Sequence, residues 1–236
     1  DEVYNFIGAY KVGSGDITWL GIIDRIASKK KPILLATGAS TIDEVDLAMN
    51  TIRRHTQDVV LMQCNTNYTA SLDNFKYINL NVLKEYKKHY PKAILGLSDH
   101  TPGHASVLGA ITLGARVIEK HFTFDKEMEG PDHILSMLPE EFAQMKERVA
   151  IVEQSLGDGV KQPSANEVAS IIRFRKTMYA KHDLKKGEVI HASDIIYTAP
   201  AYGIYARFED IVIGQAVNRD IPANTPITWD VLGWPA

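Results

Sequence analysis

Two histidines stand in similar company: His100 in Gly96-Leu97-Ser98-Asp99-His100-Thr101 and His121 in Glu119-Lys120-His121-Phe122-Thr123. Imidazole is a common ligand for manganese, zinc or iron. Two imidazoles, with water and a substrate oxygen, would make an open metal site of the catalytic kind. Two histidines alone are weak evidence for a metal, and core hydrogen bonding is the simpler reading of each. A second set of residues suits anions. Lys11 and Ser14 in Tyr10-Lys11-Val12-Gly13-Ser14-Gly15-Asp16, Thr37 in Ala36-Thr37-Gly38, and Ser98 would offer an ammonium and hydroxyls beside glycine-exposed backbone N–H groups. Such donors match phosphate and carboxylate. Cys64, in Cys64-Asn65-Thr66-Asn67-Tyr68, has no partner at a fixed spacing that would make it a nucleophile, and a small buried residue is the simpler reading. Lys11 or Lys120 could instead form a Schiff base, as in aldolases.

Groups drawn from five separate segments converge only if a fold gathers them. Short apolar runs at residues 9–12, 33–36, 59–62, 93–96 and 116–119 are each followed by a polar or glycine-containing turn. Helical patterns follow, at 42–55, 74–89, 104–113 and 139–156 among others. Ser40-Thr41-Ile42-Asp43-Glu44 and Pro139-Glu140-Glu141 are helix-start signals, with a capping hydroxyl or a first-turn proline and acids near the N-terminus. Alternation of this kind predicts βα units and a parallel sheet, in a barrel or a doubly wound fold. Reactive groups in such folds gather at the carboxyl ends of the strands, which is where these motifs fall. The pattern changes near Gly157-Asp158-Gly159. The expected division is a βα domain over 1–156, a linker over 157–172 and a compact β-rich domain over 173–236.

The balance of 26 basic and 29 acidic residues leaves a formal charge of −3. That is no electrostatic footprint for nucleic acid or an anionic membrane, and neither is an expected partner. The single cysteine cannot form an internal disulfide, so a reducing compartment is expected. No apolar run approaches the roughly 20 residues of a membrane span, and Asp1-Glu2-Val3-Tyr4 lacks the features of a signal peptide. A cytoplasmic protein is the expectation.

In order, the segments YKVGSGD, ATG, CNTNY, GLSDHT, EKHFT and GPDH resemble those of the sialic acid synthase family, which includes legionaminic acid synthases. The stretch from Asp183 to Ile190 resembles that family's lid, an antifreeze-like (SAF, β-clip) domain similar to fish type III antifreeze protein. The resemblance implies a TIM (β/α)8 barrel, present here as about its fourth to eighth strands, followed by the small lid. It implies that the chain is part of a longer protein, and that an acid and a lysine come from earlier strands. It implies condensation of phosphoenolpyruvate with an N-acetylated mannose-type amino sugar, and a divalent metal, manganese or magnesium, on His100 and His121. Lys11, Ser14, Thr66 and Ser98 would hold phosphoenolpyruvate; Asp16, Tyr68 and Asp132 would contact the sugar. Lys11, His100 and His121 would carry catalysis. A domain-swapped homodimer is implied, with residues 157–172 reaching across.

Several positions depart from the family pattern. Thr66 stands for an asparagine, for which Asn65 or Asn67 could substitute; Ala36 stands for a serine, and Asp16 for a glutamate. Ala199-Pro200 replaces an Arg-Pro pair whose arginine reaches the N-acetyl group, with Arg207 a nearby substitute. CNTNY followed by Thr69 resembles the legionaminic branch, which implies a 2,4-diacetamido-2,4,6-trideoxymannose substrate. The alternatives are a Schiff-base keto-acid sugar aldolase and a non-catalytic carbohydrate-binding protein.

Overall fold

The computed structural model describes residues 2–233, which divide into two compact units at Gly159/Val160. The first holds five strands: β1 (Tyr10–Val12), β2 (Ile33–Ala36), β3 (Val59–Cys64), β4 (Ile94–Asp99) and β5 (Ala115–Lys120). They form one sheet in sequential order, every pair parallel. Five consecutive βα units with in-order parallel pairing are the geometry of part of a (β/α)8 barrel, as the sequence predicts.

Helices α1 (Leu20–Ala27), α2 (Ile42–Arg53), α3 (Val82–His89), α4 (Ala105–Thr112) and α5 (Pro139–Leu156) connect and follow the strands. Thr41 caps α2 in a capping box: its hydroxyl accepts from the Glu44 N–H, and the Glu44 carboxylate accepts from the Thr41 N–H at 2.7 Å. Pro139 opens α5, where Glu141 accepts from the Leu138 N–H at 2.9 Å. Both devices satisfy N–H groups that a helix start leaves without partners. The expected helix over 74–89 divides into a 3-10 segment (Leu72–Tyr77) and α3, with Asn79 between them at φ 48°. Helix α1 was not singled out from the sequence. The core lies between the sheet and the helices: Ile33, Leu35, Leu61 and Leu97 meet Ile23, Met49, Ile52, Leu83 and Val107, all fully buried. At about 25 cal/mol per Å² of apolar area removed from water, this layer is the main stabiliser of the strand ends.

The second unit contains helix α6 (Val168–Phe174), so the stretch read as a linker is partly helical. Strand β6 (Thr177–Ala180) pairs antiparallel with β7 (Ile195–Thr198), and α7 (Glu209–Val212) follows. Elsewhere in this unit single bridges join Leu184 with Ile221, Val189 with Ala216 and Tyr179 with Pro226. Met178, Leu184, Ile190, Val217, Ile221 and Ile227 make a separate core.

Candidate active site

The carboxyl ends of β1 to β5 and their following loops enclose a cavity of about 400 Å³ lined by Lys11, Ser14, Gly38, Cys64, Thr66, Tyr68, Ser98, His100 and Glu119 among others. Register explains the grouping. Cys64 pairs with Ser98, and Ser98 with Glu119, across three adjacent strands. Side chains on a strand alternate between faces, so His100 and His121 share the face of Ser98 and Glu119 two residues earlier.

Lys11 Nζ lies 2.6 Å and 2.8 Å from the two oxygens of Glu119, and the Ser98 hydroxyl is 3.4 Å from the same carboxylate. Ser14 Oγ accepts the Gly38 N–H at 2.9 Å. Gly38 is buried, and a Cβ there would sit 2.5 Å from Thr66 Cγ2, 2.9 Å from Ser14 Oγ and 3.2 Å from Cys64 Sγ. The absence of a side chain at Gly38 therefore lets Ser14, after β1, and Thr66, after β3, close in on it from either side. Burial pushes the Cys64 thiol up from its ordinary range, with the Ser14 and Ser98 hydroxyls beside the sulfur. A neutral buried thiol fits a wall of the cavity better than a nucleophile.

His100 and His121 have ring centroids 5.1 Å apart, inclined at 53°. The Nδ1 of His100 is 2.8 Å from the Asn65 carbonyl oxygen. A carbonyl only accepts, so Nδ1 carries the proton and Nε2 keeps its lone pair. Burial holds His100 below the usual histidine range, which favours the neutral, ligating form. Nδ1 of His121 faces Asp132 Oδ2 at 3.6 Å, too far for a hydrogen bond. Tyr68 covers both rings, 4.1 Å from the His100 centroid and 5.5 Å from that of His121. Rings this close could together offer a divalent ion two nitrogen ligands and leave its other positions open. Among the described residues no group of three or more histidines, cysteines and acids is placed to hold a metal, so water and substrate oxygens would complete the shell.

Of the residues expected to act, Lys11, Ser14, Thr66, Ser98 and His100 line the cavity together with Tyr68. His121 and Asp132 adjoin it through their contacts to Tyr68 and to each other. Asp16 is exposed in a 3-10 turn (Ser14–Asp16) outside the lining. Thr37 does not join the anion donors: its hydroxyl donates to the Met62 carbonyl and accepts from Tyr86. It turns instead to a neighbouring cavity of about 690 Å³. Glu119 was missed as a site residue. Its signal is its place two residues before His121, on the same strand face. Lys120 is committed elsewhere, paired with Asp99 at 3.0 Å. In the second unit, the Arg207 guanidinium lies over the Phe208 and Tyr205 rings, 4.8 Å and 5.5 Å from their centroids.

Residues 4–161 match the model of the NeuB family, and residues 175–232 match the SAF domain. An uncharacterised protein of Methanocaldococcus jannaschii is 36% identical over 227 residues, covering 96% of this chain and 66% of its own. An N,N'-diacetyllegionaminic acid synthase of Campylobacter jejuni is 38% identical over 214 residues, covering 89% of this chain and 63% of its own. The chain thus spans somewhat less than two thirds of these relatives. Among solved structures, an N-acetylneuraminic acid (sialic acid) synthetase of Leptospira borgpetersenii, crystallised with citrate, superposes with a TM-score of 0.64 at 26% identity, over 70% of this chain and 57% of its own.

Proposed function

This chain belongs to the NeuB family, and from that premise we propose that the protein is a nonulosonic acid synthase. It joins the methylene carbon of phosphoenolpyruvate to the aldehyde carbon of an N-acetylated mannose-type amino sugar; water adds at the enol carbon and phosphate leaves by C–O cleavage. The observation that carries the reading is the direct adjacency of an anion cavity, with Lys11, Ser14 and Ser98, to the His100–His121 pair.

Lys11 binds the anionic end of phosphoenolpyruvate and must exchange its Glu119 partner to do so. Ser14, Ser98 and Thr66 add hydroxyl donors around that anion. His100 and His121 hold the divalent ion, manganese or magnesium. When bound it supplies Lewis-acid polarisation of the sugar's open-chain carbonyl. Tyr68 and Asp132, which flank the imidazoles, orient the sugar. Holding both reactants in attack geometry is worth about 7–11 kcal/mol of barrier. Glu119, beside Ser98 and Lys11, keeps the lysine extended into the cavity before the anion arrives.

The sugar we favour is 2,4-diacetamido-2,4,6-trideoxymannose, which gives a legionaminic-type product. Ala199 stands where an arginine would read an N-acetyl group, and the Campylobacter relative carries the legionaminic name. The segments that follow β3 and β5 expose apolar side chains, Leu72, Phe122, Phe124 and Ile134. A lid from a second copy would cover them and exclude water, which supports a domain-swapped homodimer. No helix among the described residues is long and apolar enough to cross a membrane. The test is phosphate release by the full-length protein with phosphoenolpyruvate and either N-acetylmannosamine or the diacetamido sugar, with and without Mn²⁺. Release that depends on sugar and metal, and is faster with the diacetamido sugar, is expected. Metal-independent turnover, or none with either sugar, overturns the reading.

A further inference from the structure

The strands that present His100 and His121 are joined behind the site by an ion pair outside the cavity. Asp99 and Lys120 are partners in the register of β4 and β5, the last such pair before the two histidines. Their side chains are 0% and 1% exposed, with Lys120 Nζ 3.0 Å from Asp99 Oδ2. Because neighbours on a strand face opposite ways, this contact lies on the side of the sheet away from Glu119 and the imidazoles. Its remaining valences are filled. The Asp99 carboxylate accepts from the Thr101 N–H at 3.1 Å, from the Thr101 hydroxyl at 2.9 Å and from the Ser106 hydroxyl at 2.5 Å. Lys120 also donates to the Thr101 carbonyl. The network therefore ties the end of β4, the first residue past His100, the start of α4 and the end of β5 into one directional knot.

A buried ion pair adds little net stability over apolar side chains of the same volume, because desolvation offsets the attraction. What it does supply is direction: apolar packing tolerates sliding, whereas a lysine shared between a carboxylate and a carbonyl fixes distance and angle. We propose that Asp99 and Lys120 are positioning residues that set the separation and tilt of the His100 and His121 rings. The inference rests on the reading of those rings as metal ligands. Groups that orient ligands without touching the metal typically change its affinity 10- to 100-fold.

The test measures Mn²⁺ affinity of the full-length protein, from the electron paramagnetic resonance signal of the free ion, beside its melting temperature. The Asp99→Asn/Lys120→Met double variant removes both charges and strands neither. It should melt near the parent protein yet bind Mn²⁺ about 10- to 100-fold more weakly. Ser106→Ala withdraws one donor from Asp99 and keeps the pair, and should weaken binding by a smaller factor. His100→Ala is the reference. If His100→Ala loses Mn²⁺ while the double variant binds like the parent, the positioning role is overturned. If the double variant does not fold, Ser106→Ala decides, and parental affinity at parental melting temperature overturns the role. Parental affinity in His100→Ala overturns the metal reading beneath it.

Discussion

Replacing Gly38 by alanine tests the cavity with one added carbon. The new Cβ would stand 2.5 Å from Thr66 Cγ2 and 2.9 Å from Ser14 Oγ, where carbon atoms prefer roughly 3.5–4.0 Å. Ser14 cannot withdraw freely, since its oxygen accepts the Gly38 N–H at 2.9 Å. Retreat of Thr66 or Ser14 costs about 1–3 kcal/mol of overpacking strain. It also turns a hydroxyl away from the anion, and a hydrogen bond to a charged group is worth about 1.5–3 kcal/mol. At about 1.4 kcal/mol per factor of ten, the Kd for phosphoenolpyruvate should rise roughly 10- to 100-fold. Gly8→Ala is the control, because a Cβ there meets nothing within 4 Å. Titration calorimetry with phosphoenolpyruvate reads the affinity, and thermal melting reads the strain. An unchanged Kd in Gly38→Ala, with Gly8→Ala equally silent, would refute the argument that Ser14 and Thr66 hold the anion.

Lys11→Met should raise the KM for phosphoenolpyruvate at least about tenfold while moving that for the sugar little, because it removes the cation and leaves the Glu119 carboxylate facing the anion; equal effects on both substrates count against the assignment. Borohydride added during turnover should trap no substrate on the enzyme, since Lys120 is locked to Asp99; an adduct at Lys120 or Lys11, found by peptide mass, would favour Schiff-base chemistry. His182 should titrate above the ordinary histidine value, because its Nδ1 meets the Asp183 carbonyl and its Nε2 the Asp194 carboxylate, two acceptors that only the imidazolium can serve with N–H groups at once. The sign follows: the raised value stabilises the second unit at pH below the unfolded histidine value, and that contribution fades as pH rises through the folded one. An NMR titration midpoint at or below that of a free histidine would contradict it.

The order of the βα units was legible because the apolar runs are short, β-rich and regularly spaced, and because Thr41 and Pro139 announce helix starts in the local sequence. The break at Asn79 was not: asparagine tolerates the left-handed region, so the residue type permits a positive φ there without requiring it. The histidine pair and the Lys11, Ser14 and Ser98 donors were readable as residue types at strand ends. Thr37 looked the same by type but is turned to the Met62 carbonyl and Tyr86 by its neighbours.

Residue type and spacing thus settled which chemistry was available: imidazoles, an ammonium and hydroxyls at the tips of successive parallel strands. Only the tertiary structure decided partnership. It set Glu119 rather than a solvent ion against Lys11, and Asp99 against Lys120. It gave the Asn65 carbonyl to His100. The reason is physical. Strand periodicity dictates the face a side chain takes, but its partner depends on the register between strands far apart in sequence, and register is fixed only when the helices close over the sheet and bury its apolar side.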